Sequence, residues 1–380
     1  MSTRIYALPV ETTRWNVPGM THAAFNWEYD EGRGRLLDLY EKGKARQWNA
    51  KDRIDWSLEL DVQSQGFMPD EYMPIFGSPL WERLTRDEKN QLRLHYAGWL
   101  SSQFLHGEQG ALICAARTVE TVPDVDAKFY GATQVMDEAR HVEAYSRYLR
   151  DKIGLAYPIN PHLKELLNQT LTDSRWDMTY LGMQILIEGV AMAAFSMIRD
   201  FTSEPLPRTL NAYVMQDEAR HVAFGLLALQ DVYAEMTEAE RAEREDFVVT
   251  GSYLLRDRFL ADEVWEAFGL DVDDCKRWAD QHQMMGEYRR VLFSRVVPNV
   301  KRIGLWGPKV RAAFVDMGVI DFAEMDPDDA FARDESVAEE LERLVAAGRH
   351  QRVTGSFASD AEQVAETIAM GVEAEAAERP

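Results

Sequence analysis

The chain has 380 residues, of which 46% are hydrophobic and 11% aromatic, enough apolar side chain for a substantial interior and too much for general disorder. Its formal charge of −22 leaves no broad basic surface to neutralise phosphates or anionic lipid, which excludes nucleic acid and polybasic membrane anchoring as expected partners. Two cysteines, Cys114 and Cys275, argue against a disulfide framework and fit a reducing compartment.

The start, "MSTRIYALPVETTRW", has no basic segment followed by an apolar one, so no signal peptide is expected and the location is read as cytoplasmic. Residues 14 to 81 are rich in Trp, Tyr and Pro, as in "FNWEYD" and "QWNAKDRIDW". Residues 1–89 therefore read as a lead-in packed on a larger body, with its aromatic residues serving as core or interface. From 90 to 121 there is no proline, and apolar residues recur at helical spacing, with Glu108 inside the run. Pro123 breaks it, and a second helical pattern carries Glu138 and His141. "YPINP" at 157 to 161 starts a crossing, after which 176 to 200 form a third helix holding Glu188. The apolar stretch Leu181 to Ile198 contains Gln184 and Glu188, so a buried helix explains it better than a membrane span. "SEPLPR" at 203 to 208 is the next turn, and a fourth helix carries Glu218 and His221. Further helical patterns run from 227 to 316, closing a main domain of 90–316. Residues 317–380, with "EELERL" and "EAEAAERP", read as an acidic, partly mobile tail whose last aromatics are Phe331 and Phe357.

An internal repeat organises the middle of the chain. "MDEARHV" at 136 to 142 and "QDEARHV" at 216 to 222 share six of seven residues at an offset of 80, and Glu108 and Glu188 each precede the Glu of their repeat by 30. A glutamate about fifteen residues before a turn and another about fifteen after it both lie roughly 22 Å from the turn, at the same height on antiparallel helices.

Residues three apart on a helix point together, so Glu138 with His141 can bind one ion and Glu218 with His221 another, while Glu108 and Glu188 approach from their own helices. Four carboxylates buried together repel unless cations are present, and two divalent ions balance them with two neutral imidazoles. Mixed oxygen and nitrogen ligands favour iron or manganese over zinc. Asp137 and Asp217 adjoin the ligand glutamates. Because the motif helices face each other, Asp137 is expected to hold His221 and Asp217 to hold His141, with Arg140 and Arg220 neutralising the aspartates. The competing reading is an ordinary Asp/Arg surface pair at i and i+3. His106, two residues from Glu108, points off the ligand face.

These residues resemble the di-iron carboxylate superfamily, which includes hydroxylase subunits of bacterial multicomponent monooxygenases, ribonucleotide reductase small subunits and amine N-oxygenases. "DEARH" together with the "GE" at 107 to 108 looks most like the multicomponent monooxygenase hydroxylase and epoxidase branch. The resemblance implies an all-α, ferritin-like four-helix bundle with additional N- and C-terminal helices. It implies metal ligation and catalysis by Glu108, Glu138, His141, Glu188, Glu218 and His221, two iron ions or a Mn/Fe pair as cofactor, and O2 as co-substrate. The implied activity is oxygenation or oxidation of a small organic substrate. A radical-generating reductase subunit and a ferritin-like iron-binding protein are the alternatives.

Two departures bear on this. Met192 stands four residues after Glu188, where the monooxygenase branch usually has Thr, and Tyr145, seven residues after Glu138, resembles the radical tyrosine of ribonucleotide reductase small subunits. The N-oxygenases resemble a seven-ligand site with an extra His on the fourth helix, where this chain has Val214, Met215 and Asp217. Phe104, Ala111, Leu112, Gln184, Met192 and Phe195 suggest an apolar substrate pocket. The chain has no Gly-rich dinucleotide fingerprint and too few cysteines for an iron–sulfur cluster, so electrons are expected from a separate reductase or ferredoxin. A homodimer is expected.

Overall fold

The computed structural model describes residues 34–64 and 67–346, together with 5–10, 13–19, 22–24 and 26 of the N-terminal segment. The architecture is all-α. Among the described residues the only β-type pairing is an isolated bridge between Tyr6 and Ala156.

Helix α1, Gly34–Ala45, lies in the lead-in. Helix α2, Arg86–Thr121, begins at Thr85, whose hydroxyl accepts from the Glu88 amide while the Glu88 carboxylate accepts from the Thr85 amide at 2.8 Å. This reciprocal cap satisfies two amides that a helix start leaves open. Pro123 ends the first arm, and Asp124 caps α3, Val125–Tyr148, by accepting from the Asp126 amide at 3.0 Å. The crossing contains a helix of its own, α4, Pro161–Thr172, capped by Asn160 with proline in its first turn.

The second pair consists of α5, Trp176–Phe201, and α6, Pro205–Glu235. Helix α5 widens to π geometry from Leu181 to Ile187, immediately before Glu188. Such wide turns are rare and concentrate at functional sites. Glycines let neighbouring segments approach this one closely: a Cβ at Gly225 of α6 would lie 2.7 Å from the Gln184 Cβ, and one at Gly182 would clash with the Thr170 hydroxyl.

Helices α2 with α3, and α5 with α6, pack as antiparallel pairs, and α1 lies across α3 and α6. The bundle interior is a single apolar core that also takes in residues of the lead-in and of the later helices. Helix α5 is long and apolar enough to cross a membrane, yet 89% of its apolar window is buried within the protein. Helix α7, Glu238–Asp257, packs on α4 and the π segment. Within the stretch expected to be a tail, α8, Pro327–Ala346, packs along α6 and is held by Asp334, which accepts from Arg295 at 2.7 Å. Residues 347–380, the remainder of that stretch, lie outside the described residues.

Candidate metal centre

Six side chains converge between the four long helices: Glu108 from α2, Glu138 and His141 from α3, Glu188 from α5, and Glu218 and His221 from α6. All are buried, none more than 5% exposed. They form two groups, Glu108–Glu138–His141–Glu218 and Glu138–Glu188–Glu218–His221, and within each the donor atoms lie within 4.8 Å of one another.

His141 Nδ1 lies 3.2 Å from Glu108 Oε2, 3.4 Å from Glu138 Oε2 and 3.2 Å from Glu218 Oε1. His221 Nδ1 lies 3.1 Å from Glu138 Oε1 and 3.2 Å from Glu218 Oε2. Two donors bound at right angles to an ion at about 2.1 Å stand about 3 Å apart, so these spacings fit a coordination shell. Glu138 and Glu218 each turn one oxygen to either group. This corrects the division expected from sequence, in which each Glu-x-x-His served one ion. Here the motif glutamates are shared, while Glu108 belongs to the His141 group and Glu188 to the His221 group.

Two buried oxygens, Glu138 Oε2 and Glu188 Oε2, have no hydrogen-bond donor. Unsatisfied buried carboxylate oxygens are costly, and a cation answers them. Burial, then the charge of Glu218, pushes the Glu108 carboxyl up to about 8 and Glu188 well above the usual range. Burial opposes ionisation of Glu138 as well, yet His221 and His141 hold it low. Both histidines are raised against burial: His141 chiefly by its bonds to Asp217 and Glu108, and His221 by Tyr130 and then by Glu218 and Glu138. Protons on four of the six groups thus stand where two divalent cations would otherwise balance charge.

Around this cluster the expected cross-pairing is present. His141 Nε2 lies 3.0 Å from Asp217 Oδ2, and His221 Nε2 lies 3.3 Å from Asp137 Oδ2. Donation from Nε2 to these carboxylates points each Nδ1 inward, so that its lone pair would face a metal once the Nδ1 proton is displaced. Arg140 binds both Asp137 and Asp217, the latter at 2.7 Å, while Arg220 binds Asp217 and stands 3.6 Å from Asp137. Two aspartates and two arginines therefore cancel in charge.

Two supporting residues come from the lead-in and were not singled out by sequence reasoning. Trp48 donates its indole N–H to Asp217 Oδ2 at 2.8 Å. Gln47 donates to Asp137 Oδ1 at 2.7 Å and accepts from Arg140 at 2.7 Å. Nothing in their local pattern separates them from interface residues. Gln134 was also missed, although its position four residues before Glu138 puts it on the ligand face. It donates to Glu138 at 3.2 Å and Glu188 at 3.1 Å.

Tyr145 is buried, donates to Asn211 at 2.9 Å, and packs its ring beside Phe104 and Phe195. His106 faces away from the cluster, with Nε2 3.0 Å from the Tyr157 carbonyl. Of the expected pocket residues, Phe104, Ala111 and Phe195 line a cavity of about 30 Å3 that also touches Glu108, Glu188 and Glu218. The other three do not. Leu112, one position past Ala111, turns about 100° away and is partly exposed. Gln184 sits in the π segment and donates to Gln134 at 3.3 Å, and Met192 is packed in the core beside Ala191, which lines the cavity in its place.

The family model for AurF, p-aminobenzoate N-oxygenase, matches residues 31–304. The chain belongs to the AurF family. It is therefore a member of the ferritin-like di-iron carboxylate superfamily, among its oxygenases and oxidases, and two carboxylate- and histidine-rich groups suited to a di-iron or Mn/Fe pair lie in its bundle. The match is to the N-oxygenase family rather than to the multicomponent monooxygenase branch suggested by "DEARH". Among solved structures, this AurF-family chain is similar to a point mutant of R2-like ligand-binding oxidase with an anaerobically reconstituted Mn/Fe cofactor. That similarity has 19% identity and a TM-score of 0.47, over 74% of this chain and 96% of that one. It is also similar to R2-like ligand-binding oxidase with an aerobically reconstituted metal cofactor after photoconversion, at 17% identity and a TM-score of 0.45, over 74% and 95%. No curated protein matches the chain.

Proposed function

We propose that the chain uses two iron ions, or a Mn/Fe pair, held by Glu108, Glu138, His141, Glu188, Glu218 and His221, to oxygenate a small aromatic amine with O2. The observation that carries this reading is the sharing of Glu138 and Glu218 between two four-donor groups, in a chain of the AurF family. A metal pair so placed supplies the electrons and charge stabilisation that O2 activation needs.

The protein's own residues do the rest. Glu138 and Glu218 would hold both ions, and the contacts of His141 with Asp217 and of His221 with Asp137, backed by Arg140 and Arg220, fix ring orientation so that each Nδ1 could serve as a ligand. Phe104 and Phe195, with ring centroids 4.6 Å apart, line the cavity beside Glu108 and make that wall apolar. Tyr145 and Asn211 tie α3 to α6 beside them. Electrons come from a separate reductase or ferredoxin, and the protein works as a homodimer.

A second reading has its own support. Val214 and Met215 are buried and apolar where the N-oxygenases resemble a histidine-bearing site. Six ligands without that histidine suit the hydroxylation or epoxidation chemistry of the multicomponent monooxygenase branch. The test is to load the protein with iron, reduce it, and supply isotopically labelled O2 with 4-aminobenzoate or a small alkene. Label on nitrogen supports the first reading, label on carbon alone supports the second, and one zinc or no metal after iron loading would defeat both.

A further inference from the structure

Arg258 carries a buried charge that no other side chain answers. It is 5% exposed and begins the short 3-10 turn Arg258–Leu260 that follows α7. Among the described residues it makes no hydrogen bond or ion pair, and its Nε is buried without a partner. Its guanidinium lies over the ring of Phe259, with Cζ 4.9 Å from the ring centroid. Other buried arginines are paired: Arg93 with Asp70, Arg199 with Asp200, and Arg244 with Asp177, at 2.7 to 3.0 Å.

A buried guanidinium offers five donors in a plane and favours an anion that can meet them. Burial lowers its pKa to about 10, so it is still cationic at neutral pH. Glu263 acts on it at a distance, but its oxygens are taken by the Trp99 indole at 2.9 Å and the Asn160 amide at 2.7 Å. Next in the chain, Ala261 is held at φ +56°, the one positive φ outside glycine among the described residues. Such a conformation is disfavoured for a residue with a Cβ and persists only where the surroundings enforce it.

Arg258 and Phe259 line the same cavity as Glu108, Glu188 and Glu218. Arg258 and Phe259 enter that wall from the turn after α7, whereas the three glutamates enter it from α2, α5 and α6. The cavity therefore has apolar walls, a cation in one part and the candidate metal centre in another. We propose that Arg258 anchors a carboxylate on the substrate, so that the opposite end of the molecule points toward Glu108 and Glu188. The fork of a guanidinium matches the two oxygens of a carboxylate. At about 30 Å3 the cavity has room for only one or two waters, so an organic acid enters only as Phe104 and Phe195 turn aside. The name substrate for this ligand rests on the oxygenase reading above; the carboxylate site does not.

The test uses full-length, iron-loaded protein and measures dissociation constants for 4-aminobenzoate and its neutral isostere 4-aminobenzamide, with benzoate and hexanoate as further acids. A charge-assisted pair should favour acid over amide roughly ten- to a hundredfold in the native protein. Arg258→Met should erase that preference while leaving amide affinity and metal content unchanged, and Arg258→Lys should keep part of it. A purely structural arginine would make the ligand-free Met variant melt lower. An anchor makes it melt no lower, because an unpaired buried charge has been removed. Equal binding of acid and amide, no binding of any acid, an acid preference that survives Arg258→Met, or a lowered melting temperature would each overturn the proposal. Metal stoichiometry, set by the six ligand residues, and O2 consumption by the native protein report separately on the oxygenase reading.

Discussion

Replacing Asp217 by asparagine keeps the side-chain shape but removes a charge on which much of the centre converges. Asp217 Oδ2 accepts from Trp48 at 2.8 Å and Arg140 at 2.7 Å, and faces His141 Nε2 at 3.0 Å, while Oδ1 accepts from Arg220. An amide supplies one oxygen and one NH2, so two of these donors are left facing a donor or nothing. Hydrogen bonds to charged groups contribute about 1.5–3 kcal/mol each, which puts the loss near 3–5 kcal/mol, the range for breaking a buried ion pair. In a protein this large that corresponds to roughly 5–10 °C in melting temperature. The loss has a direction as well as a size. His141 loses the partner that orients it, whereas His221 keeps Asp137, so affinity should fall about 10–100-fold at the His141 group and little at the other. Isothermal titration with ferrous iron under anaerobic conditions, followed by metal analysis after dialysis, should show two ions in the native protein and nearer one in Asp217→Asn. Two ions held with native affinity in the variant would refute the reasoning, since His141 would then not depend on Asp217.

The metal-free protein should lose stability as pH rises. Glu108, held at about 8, and Glu188, His141 and His221, all raised, bind more protons when folded than unfolded, so their contribution is complete below the unfolded values near 4.5 and 6.5 and is lost as pH climbs through the folded ones. Metal replaces those protons, so the gap in melting temperature between loaded and metal-free protein should widen from pH 6 to 9; a constant gap would contradict this. Tyr145→Phe should retain both ions and cost about 1 kcal/mol through the lost bond to Asn211, and oxygen exposure of the ferrous protein should leave no lasting tyrosyl radical in electron paramagnetic resonance. A persistent radical that vanishes in Tyr145→Phe would instead point to a radical-generating subunit. Gly225→Ala places a Cβ 2.7 Å from the Gln184 Cβ and should cost about 1–3 kcal/mol while shifting the π segment before Glu188, read as lower stability and weaker metal binding together. A variant that melts and binds iron like the native protein would show that the segment yields freely.

The sequence alone carried the centre's inventory, because metal ligation was written into helical periodicity. The offset of 80, the 30-residue lead of Glu108 and Glu188, and the proline turns between them identify four helices and six donors without any coordinates. The aspartate exchange between the two motif helices was legible for the same reason: a residue beside a ligand on one helix faces the partner helix. Periodicity places a side chain on a face, however, and says nothing of which face of a distant segment meets it. Trp48 and Gln47 reach Asp217 and Asp137 across separations of 169 and 90 residues, and no local pattern sets them apart from other lead-in residues. The sharing of Glu138 and Glu218 depends on the direction of individual carboxylate oxygens, which is decided by how closely the four helices pack. Arg258 is one arginine among many in the sequence. Only tertiary burial, with Glu263 already committed to Trp99 and Asn160, leaves it unpaired beside the cavity.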